Sequence, residues 1–128
     1  MLLKSIRLGS NDLAKTRAFY DATFGALGVA PCSTPDQYPI AMWDLGGVKF
    51  LLGPARDGQP CTHANGGTLI FDAPTPDAVK AWYDAGMANG GTCEGEPGER
   101  PQARNAFGAY MRDPDGNKLG CYCGLSMG

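Results

Sequence analysis

The chain has 128 residues and a formal net charge of −2, with 43% apolar and 19% charged residues. This composition is typical of a single globular domain, and without a basic block or an apolar run of roughly 18 residues it predicts no nucleic-acid partner and no membrane span. The cysteines are odd in number (five) and no signal peptide follows Met1, so we expect free thiols and a cytoplasmic location.

The first half has the order strand, helix, strand, strand. Residues 2–9 alternate as in a β-strand, and residues 13–27 carry apolar side chains at helical spacing after the capping residues Ser10–Asp12. Two further strands are predicted at 37–44 and 48–52, on either side of a glycine turn. A loop then runs from residue 53 to residue 66.

The second half repeats this order. A strand at 68–72 precedes a helix that Thr75 caps, and a short strand is predicted at 92–94. The glycine- and proline-rich stretch 95–105 is predicted to be a loop, a candidate lid or binding loop. A hairpin follows, with strands at 106–112 and 118–123 around a DPDGN turn.

The two halves align as an internal duplication. Matching the glycine turns places Leu51 on Gly120, and matching the first strands places Ser5 on Thr68. We therefore predict one α+β domain over residues 1–128, with a first module at about 1–53, a linker at 54–66 and a second module at about 67–124.

Three segments resemble the glyoxalase/bleomycin-resistance/vicinal-oxygen-chelate superfamily. They are IRLGSNDLAKTRAFYDATFGALG near the start, GGTLIFDAPTPDAVKAWYDAGMANGG in the middle and GAYMRDPDGNKLGCYC near the end. The resemblance covers nearly the whole chain. It implies two βαβββ modules that form a curled mixed sheet with a ligand cleft, and in the family's enzymes one divalent metal ion in that cleft.

The metal ligands implied by the resemblance are missing from this chain. The family's ligands, which are histidine, glutamine or glutamate, fall on Ser5, Leu51, Thr68 and Gly120. None of these offers an imidazole, carboxylate or thiolate. We therefore predict no cofactor and no metal site, and a cleft enlarged by the loss of a side chain at Gly120.

Strand alternation predicts the other residues of the cleft. Arg7 lies two residues from Ser5, and Lys118 and Tyr122 lie two residues on either side of Gly120. The resemblance also implies that Tyr110 lines the pocket. The predicted ligand cleft comprises Ser5, Arg7, Leu51, Thr68, Tyr110, Lys118, Gly120 and Tyr122, and Tyr38, Trp43 and Phe107 are candidates for aromatic walls.

The cysteines and the single histidine are weaker candidates. Cys121 and Cys123 share a strand face with each other but not with Gly120, so core packing is favoured over a zinc site. His63 lies in the linker, where it is either solvated or an acid or base over the cleft. No catalytic residue is assigned.

Three functions remain open. The first is a metal-independent protein that binds a small organic molecule, anionic or neutral because Arg7 and Lys118 face the cleft, and that forms a homodimer, a point that size-exclusion chromatography tests. The second is a glyoxalase-like lyase, isomerase or dioxygenase with a non-standard or absent metal site. The third is a protein-binding module that kept only the scaffold.

Overall fold

The computed structural model describes residues 2–127 and has the predicted α+β class. Strands β1 to β3 and helix α1 form the first half, and strands β4 to β7, helix α2 and one 3-10 turn form the second. Their bounds are β1 Ser5–Gly9, α1 Leu13–Ala26, β2 Ala41–Asp44, β3 Lys49–Gly53, β4 Leu69–Asp72, α2 Pro76–Met87, β5 Thr92–Arg100, the turn Pro101–Ala103, β6 Ala106–Arg112 and β7 Lys118–Cys123. Among residues 2–127 no helix is long and apolar enough to cross a membrane.

The strand register reproduces the duplication. One sheet has the order β1-β3-β2 and the other β4-β7-β6-β5, and in each the first and last strands of the half run parallel. Arg7 pairs with Leu51 in the first sheet, and Ile70 pairs with Gly120 in the second. Leu51 and Gly120 therefore occupy equivalent positions, as the alignment of the two glycine turns predicts.

The first half has one strand fewer than the second. The segment between α1 and β2 carries Pro31, Pro35 and Pro39, and proline has no N–H to donate to a ladder. A single backbone bond, from Ser33 N to Met42 O (2.8 Å), ties this segment to β2. The first module is therefore βαββ, and its predicted strand at 37–44 begins only at Ala41.

The prediction of a loop at 95–105 is wrong for residues 95–100. Residues 92–100 form β5, which pairs with β6 at the edge of the sheet. The register shifts between Cys93 and Gly95 and again between Gly95 and Gly98, so the glycines mark bulges within a strand. Pairing with β6 overrides the low strand propensity of this composition.

One core joins the two halves. Both helices pack on the same side of the sheets, and Phe19, Phe24, Trp43, Trp82 and Met111 are fully or almost fully buried in one cluster. Each such side chain contributes about 1.5–3 kcal/mol through removal of its apolar surface from water. The helices begin where the sequence predicts, since the side chains of Asp12 and Thr75 accept hydrogen bonds from Lys15 N and Ala78 N.

The DPDGN turn also ties the second half to the first. Asp115 accepts hydrogen bonds from Asn11 N (2.8 Å) and from Thr16 Oγ1 (2.5 Å). The buried Asp113 carboxylate accepts one from the Tyr20 hydroxyl at 2.6 Å. The turn thus holds the start of β7 against helix α1.

Candidate functional site

The predicted cleft residues lie on the sheet face opposite the helices, which we call the cleft face. In β1 Ile6 and Leu8 pack against the core while Ser5 and Arg7 are exposed. In β7 the buried Leu119 and Cys121 belong to the core cluster, so the alternating residues face the other way. The cleft face carries Ser5, Arg7, Leu51, Thr68, Tyr110, Lys118, Gly120 and Tyr122.

A cavity of about 360 Å³, the junction cavity, lies between the end of β1 and the start of β4. Of the predicted cleft residues, it brings together Arg7, Thr68 and Lys118. Thr62 and Asn117 also line it. It therefore combines two cations with hydroxyl groups at the place where the two modules meet.

The guanidinium of Arg7 lies across the first sheet. Its Nη2 donates a hydrogen bond to the Pro54 carbonyl at 2.8 Å. A Cβ at Gly53 would lie 2.7 Å from the same nitrogen, so this position of the arginine requires the glycine. The fork of donors on Arg7 has more N–H groups than this one bond uses.

Lys118 connects the junction cavity to a pair of tyrosines. Its Nζ lies 5.4 Å from the ring centroid of Tyr110, a cation–π distance. The hydroxyl oxygens of Tyr110 and Tyr122 are 2.8 Å apart. Their rings are arranged edge to face, with centroids 5.7 Å apart. We call these two residues the phenol pair.

Burial holds the Tyr122 phenol in its neutral form. The side chain is 2% exposed. Burial first, and the hydrogen bond with Tyr110 second, raise the pKa of Tyr122 to about 12. The hydroxyl therefore keeps its proton at neutral pH and can donate it in a hydrogen bond.

The space over Gly120 is filled, contrary to the predicted enlargement. A Cβ at Gly120 would lie 2.8 Å from Tyr110 Cε1 and 3.1 Å from Ile70 Cδ1. The tyrosine ring and the isoleucine thus take the volume that a glutamate side chain would need. Gly120 makes room for the phenol pair rather than for a larger ligand.

Ser5 and Leu51 lie apart from the junction cavity. Ser5 is exposed at the other end of β1, beside Lys49 in the register. Leu51 is half-buried next to Arg7. Neither contacts the cavity formed by the end of β1 and the start of β4.

The residues present do not fit the metal that the resemblance implies. The hydroxyl groups of Ser5 and Thr68, the hydrocarbon side chain of Leu51 and the hydrogen atom of Gly120 are not transition-metal ligands. Within the described part of the chain, 2–127, no three side chains of histidine, cysteine, aspartate or glutamate lie close enough together to hold a metal ion.

The cysteine pair belongs to the core. Cys121 is fully buried, and Cys123 packs against the same cluster. Burial raises the pKa of the Cys121 thiol to about 12, with smaller contributions from the charges of Asp72 and Cys123. A neutral thiol is neither a metal ligand nor a nucleophile.

His63 lies over the DPDGN turn. Its Nδ1 would be 3.5 Å from a Cβ at Gly116. The residue is exposed, while its neighbours Thr62 and Ala64 line the junction cavity. The histidine is thus at the rim of the cavity, and no acid or base role is assigned to it.

The three aromatic residues that were candidates for walls of the cleft lie away from the cleft face. Trp43 is fully buried in the core and donates a hydrogen bond from Nε1 to Asp21 at 2.9 Å. Phe107 packs against the core beneath Lys80, whose Nζ is 5.7 Å from its ring. Tyr38 is 54% exposed in the proline-rich segment. The aromatic surface of the cleft face is the phenol pair.

Sequence reasoning missed several residues of the site. Ile70 and Asp72 continue the alternation of Thr68 along β4, and Gly108 continues that of Tyr110 along β6, so strand periodicity contained the signal. No local pattern in the sequence indicated Thr62, because only the path of the folded linker brings it to the cavity.

Comparisons with known proteins agree with this architecture. Residues 2–120 match the family model described as Glyoxalase/Bleomycin resistance protein/Dioxygenase superfamily. A glyoxalase/bleomycin resistance protein from Albidiferax ferrireducens T118 has a similar structure, with 38% identity, a TM-score of 0.85 and coverage of 96% of this chain and 98% of that one.

More distant structures share the fold. A glyoxalase-related enzyme from Fulvimarina pelagi has 18% identity and a TM-score of 0.79, with coverage of 96% of this chain and 88% of that one. Lactoylglutathione lyase from Agrobacterium tumefaciens has 21% identity and a TM-score of 0.65, with coverage of 95% and 92%. No curated protein sequence matches significantly. The family match over nearly the whole chain establishes that this protein belongs to the glyoxalase/bleomycin resistance protein/dioxygenase superfamily.

Proposed function

We propose that this chain binds a small organic anion in the junction cavity and that it does so without a metal ion. The observation that carries the proposal is the presence of Arg7 and Lys118 in one cavity at the junction of the modules. Neither residue is in one of the ion pairs seen among residues 2–127, which include Arg17–Asp36, Lys49–Asp44 and Arg112–Glu94, although the charge of Lys118 acts on the Glu94 carboxylate. Two cations that line one cavity favour an anionic ligand.

The donors of the cavity suit a carboxylate. The planar guanidinium of Arg7 matches the two oxygens of a carboxylate, and its bond to Pro54 O leaves other N–H donors unused. Thr62 and Thr68 add hydroxyl groups at the same cavity.

Binding is favoured over the family's metal-dependent catalysis because the residues at the implied metal-ligand positions cannot hold a metal ion. That chemistry depends on a metal ion that polarises an oxygen of the substrate. The positions implied for its ligands hold Ser5, Leu51, Thr68 and Gly120. A lyase, isomerase or dioxygenase reaction would need ligands from other residues.

Metal content tests the metal-independent part of the proposal. We expect the purified protein to contain no stoichiometric nickel, zinc, manganese or iron by plasma mass spectrometry. Treatment with a chelator is expected to leave its thermal unfolding temperature unchanged, because no folded element depends on a metal ion. One equivalent of bound metal, or a chelator-sensitive unfolding temperature, would contradict the proposal.

Calorimetry tests the anion site with 3-phenylpropanoate as the probe. Substituting Arg7→Ala or Lys118→Ala is expected to weaken binding about tenfold each, since a charge-assisted hydrogen bond contributes about 1.5 kcal/mol and 1.4 kcal/mol corresponds to a factor of ten. The uncharged 3-phenylpropanamide is expected to bind more weakly than the acid.

Lys80→Ala provides the matched control. It removes the same charge from helix α2, on the sheet face opposite the cleft. We expect it to leave the affinity for 3-phenylpropanoate within about twofold. If 3-phenylpropanoate does not bind, or if Lys80→Ala weakens binding as much as Lys118→Ala, the proposed anion site is wrong.

A further inference from the structure

Lys118 lines the junction cavity at the end of a flexible side chain, and an anion binds more tightly to a cation that is already held in place. Lys118 is in none of the ion pairs seen among residues 2–127. The Glu94 carboxylate, on which its charge acts, is bound to Arg112 Nε at 2.5 Å. The contact seen for the ammonium is with the ring of Tyr110, whose centroid lies 5.4 Å from Nζ. The ring thus restricts the end of this side chain.

Glycines on both neighbouring strands let the Tyr110 ring reach this position. Tyr110 pairs with Gly95 of β5 and with Gly120 of β7 in the register. Its Cε1 and Cδ1 atoms would lie 2.8 Å and 3.1 Å from a Cβ at Gly120, so the ring rests against the backbone of β7. Lys118 lies two residues before Gly120 on the same face of that strand. Its ammonium can therefore reach the ring.

The ring of Tyr110 is fixed through its hydroxyl group. The hydroxyl oxygen is 2.8 Å from that of Tyr122, which is almost fully buried. Tyr122 pairs with Gly108, and a Cβ at Gly108 would lie 2.5 Å from the Tyr122 ring. Each tyrosine of the phenol pair thus lies over the glycine opposite to it, and the hydroxyl bond joins the two rings. The phenol pair therefore offers a fixed aromatic face, which attracts an ammonium electrostatically.

Building on the proposed function, we infer that Tyr110 is a positioning residue of the anion site. Its ring holds the ammonium of Lys118 at the junction cavity through a cation–π contact, so that Lys118 and Arg7 bind the anion together. The same ring occupies the space that a metal-ligating glutamate would need at Gly120. The loss of that side chain therefore makes room for the group that places an organic cation.

Substitutions at Tyr110 separate the effect of the ring from that of its hydroxyl. With 3-phenylpropanoate as the probe in calorimetry, Tyr110→Leu is expected to weaken binding about two- to fivefold, the effect of losing one cation–π contact at a partly exposed site. Tyr110→Phe keeps the ring and should bind the probe as the wild type does. Circular dichroism checks that both variants are folded at the temperature of the measurement.

A double-mutant cycle tests whether the ring acts through Lys118. In the Lys118→Ala background, Tyr110→Leu should cause no further loss of affinity. Direct contact between the ring and the ligand, or general damage to the sheet, would weaken binding in both backgrounds. Phe107→Leu is the matched control, because it removes a ring that lies 5.7 Å from Lys80 Nζ on the opposite side of the sheet. It should leave the affinity unchanged.

NMR of protein with isotope-labelled lysine gives a readout that needs no ligand. The Hε protons of a lysine over an aromatic face are shifted upfield by the ring current, and Lys118→Arg identifies the resonance. We expect the upfield shift in the wild type and in Tyr110→Phe, and its loss in Tyr110→Leu.

The outcomes separate this inference from the proposed function. An unshifted Lys118 resonance in the wild type, a Tyr110→Phe variant as weak as Tyr110→Leu, or equal losses from Tyr110→Leu in the two backgrounds overturns this inference alone. Failure of 3-phenylpropanoate to bind overturns the proposed function, and the positioning role with it, whatever the NMR result.

Discussion

Replacing Asp113 with alanine is expected to lower the free energy of unfolding by about 3–5 kcal/mol, because several buried donors lose their acceptor and each unpaired donor costs about 1–3 kcal/mol. The carboxylate is 2% exposed. It accepts hydrogen bonds from the Tyr20 hydroxyl (2.6 Å), Asn117 Nδ2 (2.8 Å) and the backbone N–H groups of Asp115 (2.9 Å) and Asn117 (3.0 Å). Urea denaturation measures the loss.

The consequence of this substitution extends to the junction cavity. Asn117 lines the cavity, and its side chain bonds to Asp113 and also reaches the Gly9 carbonyl at 3.4 Å. Asp57→Ala is the control, since Asp57 is exposed and accepts only from Gln59 N. We expect it to change the stability by less than about 0.5 kcal/mol. A similar small change for Asp113→Ala would show that the turn does not hold the two modules together.

The charge of Asp113 also predicts that the stability of the folded chain depends on pH. Burial raises the pKa of this carboxyl above its ordinary value, although hydrogen bonds from Tyr20 and Asn117 act in the opposite direction. A carboxyl with a higher pKa in the folded chain binds its proton more tightly there. Its ionisation therefore costs folding free energy at neutral pH, and this cost disappears as the pH falls through the raised pKa. Relative to Asp113→Asn, the wild type should gain stability as the pH is lowered from neutrality.

Substituting Gly108→Ala is expected to cost about 1–3 kcal/mol and to disrupt the phenol pair, because the added methyl group overlaps a buried ring. A Cβ at Gly108 would lie 2.5 Å from both Cδ1 and Cε1 of Tyr122. The ring must move away, which separates its hydroxyl from that of Tyr110. Thermal unfolding measures the cost.

Gly98→Ala is the matched control for this substitution. Gly98 pairs with Gly108 across β5 and β6. A Cβ there would meet only the end of the Arg100 side chain, at 3.3 Å, and the Glu96 carbonyl at 4.0 Å. A guanidinium group at the end of a flexible side chain moves easily. The control should therefore unfold close to the wild-type temperature, and equal effects of the two substitutions would mean that general strain in the sheet explains them.

Several elements were predictable because their signals are local. Helix caps, apolar spacing and the DPDGN turn depend on residues within a few positions of one another, so Asp12, Thr75 and the last hairpin are where the sequence predicts. Strand β5 was not predictable in the same way. Its glycines and proline disfavour a strand, and only hydrogen bonds to β6, which lies later in the chain, stabilise it.

The sequence by itself determined the family, the duplication and the identities of the residues at Ser5, Thr68 and Gly120, because these depend on residue type and spacing along the chain. It also determined which side chains share the cleft face, since strand alternation is a local property. The tertiary structure decided what surrounds them. It placed the Tyr110 ring over Gly120 and brought Arg7, which belongs to the first half, into one cavity with Lys118 from the second. Such contacts depend on how distant strands pack, which no local pattern specifies.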